Sequence, residues 1–252
     1  MTLKISIITV TYNASKYISD NLCSMATQSY KNIEHIIVDG LSNDDTIGIL
    51  RKNNFNMNNV ICERDEGIYH ALNKGIMAST GDIVGILHSD DIFEDADVLK
   101  LIVDNFIDDS VQAVYGNLRY INKSNTKVIR NWKSNKFNES NLKNGWMPPH
   151  PTLFVRKKVI YPNYMYNEKL KISSDYQMIL RLFSQKNFNA IYIDKYLVKM
   201  RIGGMSNKSL RSIILKIHED FLVLKELNFT INERILCMIK KNLSKLNQFT
   251  FM

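Results

Sequence analysis

Short apolar runs and segments of helical periodicity alternate along the first half of the chain. Residues 5–10 and 33–38 are rich in isoleucine and valine and predict buried strands, and residues 15–27 between them carry apolar positions at helical spacing. The alternation continues with a helix predicted over Ile68–Ala78 and a strand over residues 83–87. Strands and helices that alternate at this spacing predict an α/β fold, with a mainly parallel sheet covered by helices on both faces.

The second half is less regular and ends in a helical tail. Residues 113–120 and Val128–Trp132 predict strands, and residues 175–184 predict an amphipathic helix. Apolar residues recur at helical spacing in two segments of residues 209–252, and no acidic residue follows Glu233. We therefore expect a C-terminal extension of basic, amphipathic helices.

Composition and charge narrow the classes of partner. The 252 residues, 45% hydrophobic and 23% charged, suit one large soluble domain or a domain with an appendage. The net charge of +8 favours nucleic acid, anionic lipid or phosphorylated substrates. Basic and aromatic residues are not interleaved and no nucleic-acid motif occurs, so we expect no nucleic acid partner. Three scattered cysteines, no signal peptide and no apolar run of membrane-spanning length predict a cytoplasmic protein.

The strongest chemical signal follows the strand predicted over residues 83–87. That strand ends at His88, Ser89, Asp90 and Asp91. Two carboxylates this close repel each other unless a cation lies between them. Asp90 and Asp91 are therefore candidate ligands for Mg²⁺ or Mn²⁺, which favour oxygen ligands and often share them with substrate phosphates. The alternative is a solvated turn or a helix cap.

Other candidate residues lie near the ends of the predicted elements. Asp39 follows the second strand, where it can bind a base or ribose or cap the next turn. Arg64 and Lys74 are candidates for contact with a diphosphate, and Asn73 for contact with a sugar or base. The alternative for these three is an ordinary helix with solvated charges.

Asp175 and His150 are the candidates in the second half. Asp175 lies near the start of its predicted helix, as an N-terminal cap, a general base or both. His150 is bracketed by Pro149 and Pro151, which predict a stiff, extended loop. On that loop it is a catalytic base, an acceptor contact or a packed histidine.

Seven segments, taken in order, resemble family 2 glycosyltransferases of the GT-A fold. They are ISIITVTYNASKYI, HIIVDGLSNDDT, ERDEGIYHALNKGI, GDIVGILHSDD, PPHPTLFVRK, ISSDYQMILRL and MRIGGMSN. They cover about residues 5–207, and their collinear order makes the match specific. The GWMPPHPTLF block also resembles bacterial transferases that build O-antigen or capsule repeat units.

The resemblance implies a GT-A, Rossmann-like sheet and an inverting, metal-dependent transfer of a sugar from a nucleotide diphosphate. Asp175 matches the general base, and Asp90 and Asp91 match the metal motif, whose usual first aspartate is here His88. The implied acceptor contacts are His150 and Trp146. The implied contacts to the donor nucleotide are Thr9, Thr11, Asp39, Arg64, Asn73, Lys74, Ser89 and Asp90.

The resemblance also implies domains and partners. We expect a catalytic domain over residues 1–207, in which residues 1–117 bind the nucleotide sugar and residues 118–207 bind the acceptor and hold the base. Residues 208–252 form the tail. The expected partners are a UDP-hexose donor, with glucose or galactose as the sugar, and an undecaprenyl-diphosphate-linked sugar acceptor. The basic residues between Leu118 and Lys143 and those of the tail predict attachment to the anionic inner face of the bacterial inner membrane. The alternative is a solvated face and a helix packed on the domain.

Three alternatives to this function stay open. One is transfer from another nucleotide sugar or to a non-lipid acceptor. A sugar nucleotidyltransferase would have a Gly-rich loop after its first strand, where this chain has TYNASKY. A non-catalytic binding protein fits the basic charge but leaves the base at Asp175 unexplained.

Overall fold

The computed structural model describes residues 2–203 and 209–246. Its strands form one mixed sheet with helices on both faces. The strands are β1 (Ile5–Thr11), β2 (Ile33–Asp39), β3 (Val60–Cys62), β4 (Ile83–Ile86), β5 (Ile92–Phe93), β6 (Ala113–Ile121), β7 (Val128–Trp132), β8 (Phe154–Arg156) and β9 (Ala190–Arg201). The helices are α1 (Ile18–Ala26), α2 (Thr46–Lys52), α3 (Ile68–Ala78), α4 (Val98–Asp104), α5 (Glu139–Leu142), α6 (Lys157–Ile160), α7 (Ser174–Phe183), α8 (Leu210–Glu226) and α9 (Ile231–Leu246). Short 3₁₀ turns cover Met57–Asn59 and His150–Thr152.

The sheet has a parallel half and a mixed half. Its strand order is β3-β2-β1-β4-β8-β6-β9-β5, with β7 also paired to β6. β1 runs parallel to both β2 and β4, and β2 runs parallel to β3. β8 is antiparallel to both of its neighbours, β4 and β6. The expected α/β sheet is confirmed, and the parallel pairing lies mainly in the N-terminal half.

β1 is buried on both faces, as a central strand of a covered sheet must be. Ile8 faces the cluster that contains α3 and α7, and Ile7 faces the cluster that contains α4. α3 lies very close to β1, since a Cβ placed on Gly75 would come within 2.4 Å of a methyl carbon of Ile8. Glycine is therefore required at this position for helix and strand to pack at the observed spacing.

The tail helices pack against the rest of the fold. Val223 and Leu224 of α8 and Cys237 of α9 are buried in the same cluster as α3 and α7. Lys241 and Asp220 form a buried ion pair that joins α9 to α8, with Nζ and Oδ2 2.9 Å apart. The boundary expected at residues 207 and 208 lies outside the described residues. Across residues 2–203 and 209–246, no helix combines the length and hydrophobicity needed to cross a membrane.

Candidate active site

The carboxyl ends of β1 and β2 meet at one edge of the sheet. Thr11 pairs with Asp39 in the ladder, and its hydroxyl donates to Asp39 Oδ2 at 2.7 Å. The backbone N–H and hydroxyl of Ser42 also donate to Asp39, at 2.8 and 2.6 Å. The Ser42 oxygen in turn accepts from the N–H of Asn13. Asp39 is fully buried and organises the two loops that follow β1 and β2.

Thr9 lies below this edge and does not reach its surface. Its hydroxyl donates to the Leu87 carbonyl at 2.8 Å and lies 2.9 Å from His35 Nε2. Because the hydroxyl proton is used on Leu87, His35 must donate to Thr9 through Nε2. Burial lowers the pKa of His35 to about 3, which agrees with a neutral ring. Thr9 therefore joins β1 to the end of β4, and its expected contact with the nucleotide stays a prediction.

The predicted diphosphate and sugar contacts around α3 separate into three environments. The amide of Asn73 donates to the Tyr166 carbonyl at 2.9 Å and to Glu168 at 2.7 Å, and its oxygen accepts from the Tyr166 N–H. Lys74 lies 2.9 Å from Glu63 and 2.8 Å from Asp65. Arg64 alone is exposed. Asn73 thus holds the loop at residues 166–168, and its expected contact with the donor stays a prediction.

Lys74 is held by its acidic neighbours. Partial burial disfavours its ammonium group, but hydrogen bonds to Asp65 and Glu63 raise the pKa of Lys74 above its ordinary value. A third bond runs from Nζ to the Arg64 carbonyl at 2.9 Å. Lys74 therefore shapes the loop that carries Arg64.

The turn after β4 is supported from beneath by two side chains. Asn21 of α1 donates to the carbonyls of His88 and Asp91, at 2.9 and 3.3 Å. Arg201, at the end of β9, donates to the Asp90 carbonyl at 2.6 Å and also pairs with an acidic residue of α1. His88, Ser89 and Asp90 are left partly exposed at the edge.

Asp91 points into the protein. It is fully buried, and its Oδ1 accepts from the Arg201 N–H at 3.3 Å. Its Oδ2 has no hydrogen-bond partner among the residues that the structure describes. Burial, and then the nearby charge of Asp90, raise the pKa of Asp91 well above its usual range. The two adjacent carboxylates therefore differ, and Asp90 is the one that faces outward.

Asp175 lies in the first turn of α7 and is partly exposed. Its Oδ1 accepts from the backbone N–H of Tyr176 at 2.8 Å and lies 3.5 Å from the hydroxyl of Tyr69. Tyr69 stacks on Tyr166, with ring centroids 5.6 Å apart. The carboxylate is thus surrounded by side chains from α3 and from the loop before α7.

Two histidines connect the turn after β4 to Asp175. The ring centroids of His88 and His150 are 6.1 Å apart, and His150 Nε2 lies 2.6 Å from the Tyr166 hydroxyl. Burial, and then His150, lower the pKa of His88 to about 4, although Asp90 and Asp175 both oppose the shift. Burial also lowers the pKa of His150. His88 therefore lies within electrostatic reach of both carboxylates and is neutral at physiological pH.

His150 and Trp146, the two expected acceptor contacts, are not brought together. His150 is buried in a 3₁₀ turn beside Tyr166, where the sequence predicted an extended loop. Trp146 packs on Phe137, Phe183 and Tyr115, with ring centroids 5.5 to 5.8 Å away. Trp146 is thus partly exposed and packs against the core as part of an aromatic cluster.

Several residues of the site escaped the sequence analysis. Tyr69 and Tyr166 look like ordinary core aromatic residues, and Arg201 lies 110 positions after Asp91 in the chain. Glu219 accepts hydrogen bonds from three backbone N–H groups just before α7. The available signal for Glu219 was its position beside Asp220, an acidic pair in the middle of an apolar helix.

The family model described as glycosyl transferase family 2 matches residues 6–172. The chain belongs to this family. Chondroitin synthase of Escherichia coli is 28% identical over 225 residues, which are 88% of this chain and 32% of that protein. The chain therefore spans about a third of the length of that relative.

Solved glycosyltransferase structures share the fold. TarS 1–349 of S. aureus, solved with UDP-GlcNAc, has a TM-score of 0.65 at 20% identity, over 94% of this chain and 79% of TarS. The mannosyltransferase PcManGT of Pyrobaculum calidifontis, solved with GDP-Man and Mn²⁺, has a TM-score of 0.66 at 16% identity, over 96% and 70% of the two chains. These likenesses confirm the GT-A fold of this family 2 glycosyltransferase.

The residues present fit a divalent ion that is shared with a substrate. No group of three His, Cys, Asp or Glu side chains converges on one point in the described part of this glycosyltransferase. Asp90 offers one outward carboxylate, and the neutral ring of His88 lies close to it. Mg²⁺ and Mn²⁺ are commonly held by one or two carboxylates together with substrate phosphates, which is the set that Asp90 can complete.

The different environments of Asn73 and Arg64 predict unequal effects of their replacement on stability. Asn73→Ala removes three buried hydrogen bonds, so we expect the free energy of unfolding to fall by about 2–4 kcal/mol. Arg64→Ala changes an exposed side chain and should alter it by less than about 0.5 kcal/mol. Urea unfolding of both variants beside the parent chain measures the difference. Equal losses in the two variants would contradict the assignment of Asn73 to the loop at residues 166–168.

Proposed function

We propose that this chain is an inverting, metal-dependent glycosyltransferase that moves a hexose from a UDP-sugar to a sugar on a lipid diphosphate, in the synthesis of bacterial surface polysaccharide such as O-antigen. The observation that carries the proposal is the pair of partly exposed carboxylates, Asp90 and Asp175, both within electrostatic reach of His88. In this proposal one carboxylate serves the leaving diphosphate and the other serves the acceptor. Family membership supports the reaction class.

Asp175 supplies the base in this mechanism. An acceptor hydroxyl is a poor nucleophile at neutral pH, and a carboxylate that takes its proton during attack makes it reactive. Attack on the anomeric carbon from the side opposite the leaving group inverts the configuration in a single displacement. The Tyr176 N–H donates to Oδ1 of Asp175 and helps to orient the carboxylate for this task.

Asp90 is the residue that we propose holds the ion. A bound Mn²⁺ or Mg²⁺ would neutralise the charge that grows on the departing nucleoside diphosphate. Asp91 would support the turn that carries Asp90, because it is buried beneath that turn and accepts a hydrogen bond from the backbone of Arg201. Arg64 is exposed near the same edge and is the proposed cationic contact for the diphosphate.

The donor is proposed to be UDP-glucose or UDP-galactose. The solved TarS complex contains UDP-GlcNAc, which supports a uridine nucleotide in this fold. Thr11 and Asp39 would form the base of the nucleoside site, since they organise the loops at the ends of β1 and β2. Another nucleotide sugar is the alternative donor, because PcManGT, which shares the fold, was solved with GDP-Man.

The acceptor proposal rests on the surface of the tail. Exposed isoleucine and leucine side chains cover α8 and α9, and Arg211, Lys225 and Lys240 are exposed on the same two helices. An apolar face with basic residues around it matches an anionic membrane surface, where a lipid-linked sugar would be found. The exposed apolar residues are Ile213, Ile214, Ile217, Leu222, Ile231, Ile235, Leu236, Ile239 and Leu243.

Ion pairs neutralise part of the positive charge between residues 118 and 143, the other basic segment of the chain. Between residues 118 and 143, Arg119 pairs with Glu94, Lys133 lies 2.9 Å from Asp194, and Lys143 lies 2.8 Å from Glu233. We therefore place the membrane contact on the tail and locate the enzyme, in the cytoplasm, on the inner face of the inner membrane. The end of a growing polysaccharide is the second candidate acceptor, because a relative of this chain is named chondroitin synthase.

Replacement of the proposed base tests the reaction. Asp175→Asn keeps the shape of the side chain and removes its basicity, so we expect transfer to fall at least about 100-fold while UDP binding persists. The assay is a panel of nucleotide sugars against GlcNAc- and GalNAc-diphospho-lipid analogues, with the linkage read by NMR. Asp104→Asn, at an exposed position of α4, is the matched control. Full activity of Asp175→Asn would refute the mechanism.

The two adjacent carboxylates, Asp90 and Asp91, should contribute unequally to metal binding. Asp90→Asn is expected to raise the Kd for UDP in the presence of Mn²⁺ at least about tenfold, because the outward ligand is lost. Asp91→Asn should leave this Kd within about threefold, because the Asp91 side chain is fully buried and points into the protein. Calorimetry with UDP and Mn²⁺, repeated with EDTA, measures both. Equal losses in the two variants would show that Asp91 also binds the ion, as the sequence predicted.

Removal of apolar surface from α9 tests the membrane contact. The double variant Ile235→Ser, Ile239→Ser changes side chains that are 50% and 51% exposed, so its stability should hold. We expect its binding to phosphatidylglycerol-containing vesicles to fall at least about tenfold, since each isoleucine contributes roughly 1–3 kcal/mol when buried. Ile107→Ser, at an exposed position outside the tail, is the control. Unchanged vesicle binding, or no binding by the parent chain, would refute the proposal.

A further inference from the structure

Three backbone N–H groups converge on one carboxylate just before α7. Glu219 Oε1 accepts from Lys171 at 2.8 Å, and Oε2 accepts from Ile172 and Ser173 at 2.8 and 2.9 Å. Glu219 belongs to α8 and is only 5% exposed. A buried carboxylate that receives three such bonds is held rigidly, and it holds the donors in return.

Glu219 supplies an acceptor that α7 does not supply for itself. Ser173 is the N-cap residue of α7, and its side chain makes no capping hydrogen bond. The hydroxyls of Ser173 and Ser174 are buried without a partner among the described residues. The N–H groups at a helix N-terminus need acceptors and favour negative charge. A residue from the tail thus completes the start of α7.

The segment held by Glu219 leads directly into the proposed base. Asp175 follows Ser173 by two residues, so its carboxylate moves with the backbone of residues 171–173. Ile172 is held on both sides, since its N–H donates to Glu219 and its carbonyl accepts from the Tyr69 hydroxyl at 2.5 Å. Tyr69 is the same residue that lies 3.5 Å from Asp175 Oδ1.

A second contact from the tail reaches the residue after the base. Lys241 of α9 pairs with the buried Asp220, and its Nζ lies 3.1 Å from the ring centroid of Tyr176. The Tyr176 hydroxyl lies 3.4 Å from Cys237 Sγ. Both tail helices therefore contact the start of α7. α8 binds the backbone of residues 171–173, and α9 contacts the side chain of Tyr176.

We propose that Glu219 is a positioning residue for Asp175, which makes α8 part of the catalytic unit. The inference rests on the proposed role of Asp175 as the base. It goes beyond that role because it assigns a catalytic requirement to the tail. Misplacement of a reacting group by about 1 Å can cost about 100-fold in rate. Loss of the Glu219 charge should therefore reduce turnover much more than binding.

Glu219→Gln tests this inference, because it keeps the size of the side chain, removes the charge and replaces one of the two acceptor oxygens by an N–H₂ group that then faces at least one of the three donors. We expect kcat for UDP release from UDP-glucose or UDP-galactose to fall between about tenfold and 100-fold. The Kd for UDP with Mn²⁺ should stay within about twofold. Calorimetric stoichiometry of one UDP per chain shows that the variant is folded, and amide hydrogen exchange in residues 171–173 should become faster.

Glu226→Gln is the matched control on the same helix. Among the described residues, Glu226 accepts a hydrogen bond from the side chain of Gln177 in α7 and from no backbone group of that helix. The kcat of Glu226→Gln should therefore stay within about twofold of the parent value. Where Glu219→Gln does not bind UDP, Glu219→Asp takes its place, because it keeps the charge and shortens the reach by one methylene. An unchanged kcat in the folded Glu219 variant, beside an active parent chain, would overturn this inference alone. Absence of transferase activity in the parent chain would instead refute the proposed function.

Discussion

The site and the loops around it depend on the parallel pairing of β1 with β2 and β4. Because the three strands run in the same direction, their carboxyl ends reach one edge, with Thr11 opposite Asp39 and the turn at His88 beside them. Backbone groups beyond the last ladder positions then need other partners. Asp39 takes the N–H of Ser42, and Asn21 takes the carbonyl of His88. The polar side chains at this edge therefore build the site and also complete the sheet.

The spacing of apolar residues predicts the helices and strands that are long enough for a regular repeat to appear. The helix over Ile68–Ala78 and the strand over Val128–Trp132 have the predicted bounds, and α7 begins one residue before the predicted Asp175. β5 and β8 have only two and three residues, which is too short for any alternation to appear. The antiparallel β8 escapes the sequence prediction for that reason.

The residue types of the site could be predicted, but their orientations could not. Asp90 and Asp91 are neighbours with the same chemistry, and only one of them faces outward. That difference depends on Arg201, whose N–H bonds to Asp91 from 110 positions away in the chain. Thr9 and Asn73 likewise turn toward internal partners. A pattern of residue types records position along an element, whereas orientation depends on contacts that are remote in sequence.

The close approach of α3 to β1 also influences the site, although no substrate touches it. Gly75 lets the helix approach Ile8 so closely that an added methyl group would overlap with it. The same helix carries Tyr69, whose hydroxyl holds the loop in front of Asp175. A larger residue at Gly75 would therefore shift Tyr69, and with it the loop in front of Asp175, relative to the sheet. During divergence of such enzymes, a core glycine can tune the spacing of the site while every residue in contact with substrate stays the same.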